Sequence, residues 1–262
     1  MQINLSGKNA LVCGASQGIG KSIAYNFALS GANVTVLARN LDSIKQVMLN
    51  LPNNGDQCHN YIVADLNETE STIEKLERIV VNGLKFHILV NNTGGPTPGI
   101  LYKEDYKYLI SAFNHHIVSA QSISSRIIPG MIKDQFGRII NIISIGLKQP
   151  IKNLGVSNTI RGALASWAKT LATELGPFGI TVNNILPGYT ATERLSHLFE
   201  HRSKIEGKSI QDIEKSIIDD IPASRLAFPE EIAYAATFLA SDFAGYINGI
   251  NLPVDGGFLK TL

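Results

Sequence analysis

The chain has 262 residues, 23 Lys and Arg against 22 Asp and Glu, 44% apolar residues and 17% charged ones. That length suits one large α/β domain with a sizeable core, and a net charge of +1 excludes the basic excess of a dedicated nucleic-acid binder. No run of 18 apolar residues marks a membrane span, Met1–Lys8 lacks the basic-then-apolar order of a signal peptide, and Cys13 and Cys58 are too few for a disulfide framework, so a reduced, cytoplasmic setting is expected.

The first β-rich run, Ala10–Cys13, leads into Gly14-Ala15-Ser16-Gln17-Gly18-Ile19-Gly20 and then a helix to about Ser30, closed by Gly31. Glycines at such a junction let the chain turn tightly and bring N–H groups up to a pyrophosphate. The positive end of the helix favours that anion. Gly14, Ser16, Gln17, Gly18, Ile19 and Gly20 are therefore candidate cofactor contacts, although the same glycines would also serve close strand–helix packing. The second run, Asn33–Leu37, ends near Arg39. An acidic residue there would accept from a ribose 2′-OH and select NAD. A guanidinium suits a 2′-phosphate, so NADP(H) is favoured over NAD(H).

Further β-rich runs fall at Tyr61–Ala64, Phe86–Val90, Arg138–Ile143, Ile180–Ile185 and Ile250–Val254. The stretch 162–175 is helical by spacing: Leu164, Trp167, Ala168, Leu171 and Leu175 share one face before Gly176-Pro177 stops it. Runs apolar on both faces that alternate with helices imply a parallel sheet covered on both sides. Seven strands and six or seven helices fill 1–262 as a single doubly wound, Rossmann-type α/β domain. Ligands are then expected beyond the carboxyl ends of the strands. The six His and two Cys show no zinc-site spacing.

The spacing Gly14-x3-Gly18-x-Gly20, together with the motifs that follow, resembles the short-chain dehydrogenase/reductase superfamily over nearly the whole chain. Asp65-Leu66 looks like that family's adenine-contacting pair. Asn91-Asn92-Thr93-Gly94 resembles its Asn-Asn-Ala-Gly turn, which places Asn92 and Gly94 at the cofactor. Pro187, Gly188 and Thr192 resemble the Pro-Gly-x3-Thr segment beside a nicotinamide. Pro229–Ile232, Phe238–Ser241 and Val254–Gly257 match the C-terminal pattern. The layout is most similar to 3-oxoacyl-carrier-protein reductases.

The resemblance implies a catalytic Ser, a Tyr that delivers a proton, a Lys four residues later and an Asn on the preceding long helix. Ser144 matches the first. Thirteen residues on stands Ser157 instead of Tyr, followed by Arg161 instead of Lys. Counting back thirteen residues from Pro129 puts His116 at the Asn position, with Asn114 as the alternative counterpart. A serine hydroxyl is a poor general acid. Arg161 stays protonated and can hold ribose hydroxyls or a carbonyl oxygen, but it cannot shuttle protons. His116, with an ordinary pKa near neutrality, would suit proton transfer. Lys148, a water or Tyr189 are further options, and His116 also reads as a satisfied helix histidine.

Two functions are compatible with this set. One is an NADP(H)-dependent oxidoreductase acting on a carbonyl or hydroxyl of a small or acyl-type substrate, with non-standard proton transfer. The other is a non-catalytic nucleotide-binding homologue, a sensor or assembly partner. Residues 193–222 correspond to the family's variable substrate lid, with Leu195, Leu198, Phe199, Ile213 and Ile217 on one or two amphipathic helices. Gly94–Gly99 would form the facing wall. The long helices expected near 103–132 and 153–175 are those that family members pair, so a homotetramer or homodimer is expected.

Overall fold

Seven short runs rich in Val, Ile and Leu become the strands β1 (Asn9–Cys13), β2 (Asn33–Ala38), β3 (Asn60–Val63), β4 (Ile88–Asn91), β5 (Gly137–Ile142), β6 (Ile180–Pro187) and β7 (Asn251–Val254). The protein is described from a computed structural model covering residues 2–261. All strand pairs are parallel, in the order β3-β2-β1-β4-β5-β6-β7. The order reverses between β1 and β4, and that switch point opens a crevice at the carboxyl ends. β5 and β6 are buried at every position, as helices on both faces require.

The helices are α1 (Gly18–Leu29), α2 (Leu41–Asn50), α3 (Thr69–Val81), α4 (Tyr106–Phe113), α5 (Ser119–Asp134), α6 (Gly155–Leu175), α7 (Glu193–Glu206), α8 (Ile210–Asp220) and α9 (Pro229–Ala240). Adjacent strand residues feed opposite layers. Val12, Val34 and Ile88 pack with Phe27 of α1 and Ile232 of α9. Leu11, Leu37 and Ile139 pack with Leu76 of α3 and Met131 of α5. None of the helices among the described residues is long and apolar enough to cross a membrane.

The described residues hold nine α-helical segments, more than the six or seven expected, for two reasons. The long helix expected near 103–132 is divided by a π turn at Asn114–Val118, and residues 193–222 supply two helices. α6 starts at Gly155, close to the 153 expected from the resemblance but before residue 162, where the periodicity becomes clear, because Gly155-Val156-Ser157-Asn158-Thr159 carry little apolar spacing. Gly155 is needed at that start, since a Cβ there would lie 2.5 Å from Leu101 Cβ.

An asparagine ladder fixes the register of the C-terminal half of the sheet. Asn91, Asn141, Asn184 and Asn251 face one another on β4 to β7. Asn91 Nδ2 donates to Asn141 Oδ1 (2.9 Å), Asn141 Nδ2 to Asn184 Oδ1 (2.8 Å) and Asn184 Nδ2 to Asn251 Oδ1 (2.8 Å). A slip of one residue would strand the buried amides of Asn91, Asn141 and Asn184 without partners, so the ladder holds the strand ends that carry the site in line.

Candidate active site

The loop after β1 is shaped by contact as much as by turn geometry. Gly14 sits at φ +59°, and a Cβ there would meet Asn92 O at 2.5 Å. A Cβ on Gly20 would meet Gly14 O at 2.2 Å. Asn92 Nδ2 donates to Gly14 O (3.0 Å) and Cys13 O (3.3 Å), tying the β1 and β4 loops together. Gly14, Gly20 and Asn92 therefore build the cradle from behind. Gly188 has a similar part, since its Cβ would approach Asp255 Cα to 2.7 Å, while Pro187 is buried at the end of β6.

Gly18, Gly94 and Thr192 instead bound open space. A Cβ on Gly18 would meet only the Thr192 side chain, at 3.3 Å, and one on Gly94 would meet nothing within 4 Å. The N-cap residue Gln17 makes no side-chain cap and no acidic residue stands in the first turn of α1. The first N–H groups of α1, with half-buried Ser16 and Ile19 beside them, thus face this space without a side-chain acceptor. The Arg39 side chain is 72% exposed at the end of β2, its Nη1 3.7 Å from Asp65 Oδ2. A pair so exposed is weak, so Arg39 can turn to another anion. Leu66 is 7% exposed and packs into the core below, so its side chain offers little to an adenine. An uncapped helix N-terminus, a glycine-lined gap and a reachable guanidinium together fit a phosphorylated dinucleotide.

The four catalytic candidates lie beside this cradle. Ser144 follows β5, and its Oγ accepts from Gly146 N (3.0 Å). Asn158 steadies the loop after it, accepting from Ile151 N (3.3 Å) and donating to Ile151 O (2.9 Å). Ser157 and Arg161 are one turn apart on one face of α6. Arg161 is 6% exposed, and its Nη1 donates to Ile142 O (3.0 Å), two residues before Ser144. Its Nε is buried with no partner.

The π turn decides between the two candidates on the preceding helix. It leaves Asn114 exposed and turns His116 inward, where Nδ1 shares a hydrogen bond with Thr93 Oγ1 (2.5 Å). β4 and β5 are neighbours, so Thr93 and Ser144 leave adjacent strand ends. A cavity of about 10 Å³, close to the size of one water, lies against His116 and is also lined by Cys13, Thr93 and Leu164.

Burial pushes the His116 imidazole down to about 2, with Arg161, His115 and Arg194 adding to the effect. The expectation of a histidine titrating near neutrality is thus overturned: the ring is neutral at working pH and can relay hydrogen bonds but brings no extra proton. The depressed value has a consequence for stability. In the unfolded chain the ring binds a proton below about 6.5 and in the folded one only near 2. The stability present above pH 6.5 is therefore lost as the pH falls through that window. Urea unfolding at pH 5 against pH 7.5 should show wild type losing about 2 kcal/mol more than His116→Asn. Equal losses in the two proteins would contradict a buried neutral ring.

Burial also lowers Arg161, to about 10, with Arg194 adding to it, so the guanidinium stays charged at neutral pH. Lys148 is exposed on the loop after Ser144. Tyr189 packs edge-on against Phe258, with centroids 5.3 Å apart, and burial raises its phenol.

Sequence reasoning missed Arg194, in the first turn of α7. Its Nη2 donates to Pro96 O (2.5 Å) and lies 3.0 Å from where a Gly95 Cβ would stand. The glycine lets the guanidinium settle against the 94–99 loop, which the Tyr108 hydroxyl also holds through Thr97 N. The signal was an arginine two residues after Thr192 facing a Gly-Gly-Pro segment. On the outer side of that region, α7 and α8 pack through Leu195, Phe199, Ile213 and Ile217. A cavity of about 410 Å³ opens there beside Thr192, Ile210 and Leu226.

A protein-family profile described as enoyl-(acyl carrier protein) reductase matches residues 14–259. The chain is 31% identical over 259 residues to the NADPH-dependent reductase BacG of Bacillus subtilis, covering 98% of this chain and 100% of that protein. It is 33% identical to the 3-oxoacyl-[acyl-carrier-protein] reductase FabG of Pseudomonas aeruginosa, covering 97% and 98%. Its fold superposes on L-sorbose reductase from Gluconobacter frateurii, solved with NADPH and L-sorbose, with a TM-score of 0.92, 31% identity and full coverage of both chains.

Proposed function

The chain belongs to the short-chain dehydrogenase/reductase family, and on that premise we propose that it is an NADP(H)-dependent oxidoreductase interconverting a carbonyl and a hydroxyl on a small or acyl-type substrate. The observation that carries this reading is Arg39, reachable at the end of β2 beside the uncapped N-terminus of α1. The NADPH-dependence printed for BacG and the NADPH held by L-sorbose reductase support the same cofactor.

Bound NADP(H) supplies or accepts the hydride. The chain's own part is to hold the substrate oxygen and manage one proton. Ser144 Oγ and the charged Arg161 guanidinium stabilise negative charge on that oxygen. Ser157, one turn from Arg161 on the same face, passes a proton between the oxygen and solvent. Neutral His116, anchored by Thr93 beside the water-sized cavity, orders the end of that relay. The cofactor is held by Ser16, Gln17, Gly18 and Ile19 around the α1 terminus, by Arg39 and Asp65 at the adenosine end, and by Gly94 and Thr192 opposite, with Arg161 within reach of the ribose. Gly14, Gly20, Asn92, Pro187 and Gly188 shape the cradle. Residues 193–222 and the 94–99 loop form the substrate walls.

Consumption of NADPH across a panel of ketones, oxo acids and acyl thioesters tests the reading. Tight NADPH binding without turnover of any of them would overturn it. In Arg39→Asp, NADPH should bind roughly 10–100-fold more weakly, while NADH should bind as well as or better than in wild type, by fluorescence titration. A smaller loss would remove Arg39 from 2′-phosphate recognition.

The same reading includes a homotetramer or homodimer. Tyr102 just before α4, and Tyr106, Ile110 and Phe113 on α4, are exposed, as are Tyr234, Phe243 and Tyr246 near α9 and β7. Apolar surface of this kind on two faces suits self-association. Sedimentation equilibrium at micromolar concentration should give two or four copies, and a monomer would refute it. Two free cysteines, one of them exposed, suit the reducing cytoplasm.

A further inference from the structure

Two arginines lie near enough at the candidate site for Arg194 to act on Arg161 by its charge, and no carboxylate acts on either. Arg161 comes from α6 and is 94% withdrawn from solvent by its 6% exposure, its Nη1 committed to Ile142 O and its Nε unpartnered. Arg194 comes from α7 across the 94–99 loop and is open to solvent, with one nitrogen committed to Pro96 O. Among the described residues neither forms an ion pair, although ten pairs occur elsewhere. The other groups close by are the imidazoles of His115 and His116 and the Tyr108 hydroxyl, which accepts from Thr97 N. Burying a guanidinium with an orphaned N–H beside a second cation is unfavourable unless an anion completes the set. Each guanidinium has five N–H donors, and only one on each is used within the protein, so the pair offers a planar, bidentate surface for carboxylate or phosphate oxygens.

We propose that Arg161 and Arg194 bind an anionic group of the substrate, and that the substrate is a carbonyl compound carrying a carboxylate or phosphate close to the reacting carbon. This rests on the reductase reading for the carbonyl itself. It separates the chain from its structural relative solved with L-sorbose, a neutral ketose. With Ser144 two residues past the Ile142 carbonyl that holds Arg161, the anion and the reacting oxygen would share one side of the site. Gly95 is the feature that admits Arg194, and the Gly/Pro-rich loop is thereby tied to substrate charge rather than to chain length.

The test uses the full chain, with and without NADP⁺, and matched probes. These are 4-methyl-2-oxopentanoate against its methyl ester, dihydroxyacetone phosphate against dihydroxyacetone, and L-sorbose as a second neutral ketose. Dissociation constants come from calorimetry or thermal shift, so turnover is not needed. At least one anion should bind 10-fold or more tightly than its neutral partner, and Arg194→Gln should remove about 10-fold of that preference while NADPH affinity changes less than 2-fold. Whichever pair responds identifies the carboxylate or the phosphate. Equal binding of anions and neutral partners overturns the proposal. So does an Arg194→Gln loss that falls on NADPH, which would assign the cation to the cofactor's pyrophosphate. Because Arg194→Gln could disturb the loop, Arg194→Lys is the control: it should restore part of the preference, and a loss equal to that of the glutamine variant would mark a purely structural role. Anion preference without NADPH binding would sink the reductase reading and leave this one standing.

Discussion

Replacing Arg161 by methionine is expected to lower kcat/KM about 10²–10³-fold and, in the same protein, to raise the melting temperature. The loss follows from removing the charged group that meets developing negative charge on the substrate oxygen in a site where water is scarce. The gain follows from burial. Holding the guanidinium at about 10, well below its ordinary value, means its charged form is disfavoured in the fold, on the order of 3 kcal/mol. Methionine removes that penalty at similar volume, and gives up one hydrogen bond to Ile142 O, about 1 kcal/mol. The balance, about 2 kcal/mol, corresponds to a rise of roughly 5 °C in a chain of this size. The sign with pH is fixed by the same shift. The folded chain keeps this proton up to about 10 and the unfolded one to a higher pH, so the wild type carries the full penalty below pH 10 and sheds it above. Its stability deficit against Arg161→Met should therefore be constant from pH 6 to 9 and shrink at higher pH. Steady-state kinetics and calorimetry on the two proteins check both halves. Unchanged activity, or a fall in melting temperature, would place Arg161 among structural residues and not functional ones.

That trade explains why the fold was more legible in the sequence than the site. The seven strands could be read because their apolar runs are continuous and bounded by Gly, Asn and Asp, and each lies within two residues of its place. Periodicity alone showed α6 only from residue 162, since its first turns answer to Gly155 against Leu101, and its start near 153 came from the family resemblance. The family resemblance singled out Ser144, Ser157, Arg161 and His116 as candidates. It could not give their protonation, which depends on what surrounds a ring or a guanidinium in three dimensions: His116 reads as a near-neutral switch on paper and is a neutral ring once burial, and then Arg161 beside it, disfavour its charge. The π turn was invisible for a related reason. Asn114-His115-His116 carries no propensity signal for an extra residue per turn, and only the packing of α6 on this segment shows why His116 and not Asn114 points inward. Arg194 was passed over because its partner, Pro96 O, lies 98 residues away.

The glycines of the cradle allow packing and ligand space to be separated. Gly20→Ala should be the most damaging single-atom change in the loop, although alanine favours a helix by about 1 kcal/mol. Gly20 has an ordinary helical backbone, so the whole penalty comes from the added carbon. It would lie 2.2 Å from Gly14 O and 2.7 Å from Asn92 Nδ2, and the nearer of these is main chain, tied through Gly14 and Asn92 to β1 and β4. Relief requires α1 to move off the sheet, and overpacking of that kind costs about 1–3 kcal/mol or more. A melting temperature lower by roughly 5–10 °C is expected, with NADPH affinity reduced at least 10-fold because the α1 terminus is displaced. Gly18→Ala differs in kind. Its φ of +52° strains any side chain by about 1 kcal/mol, but the new methyl would meet only the Thr192 side chain, at 3.3 Å. Gly94→Ala meets nothing within 4 Å and should melt within about 1 °C of wild type. If the open space belongs to the dinucleotide, Gly18→Ala and Gly94→Ala should weaken NADPH binding far more than their small stability changes can explain. Melting curves and NADPH titrations on the three variants decide it. Gly94→Ala binding NADPH as tightly as wild type would move the cofactor away from the β4 loop, and a Gly20→Ala protein as stable as wild type would refute the close contact between α1 and the turn after β1.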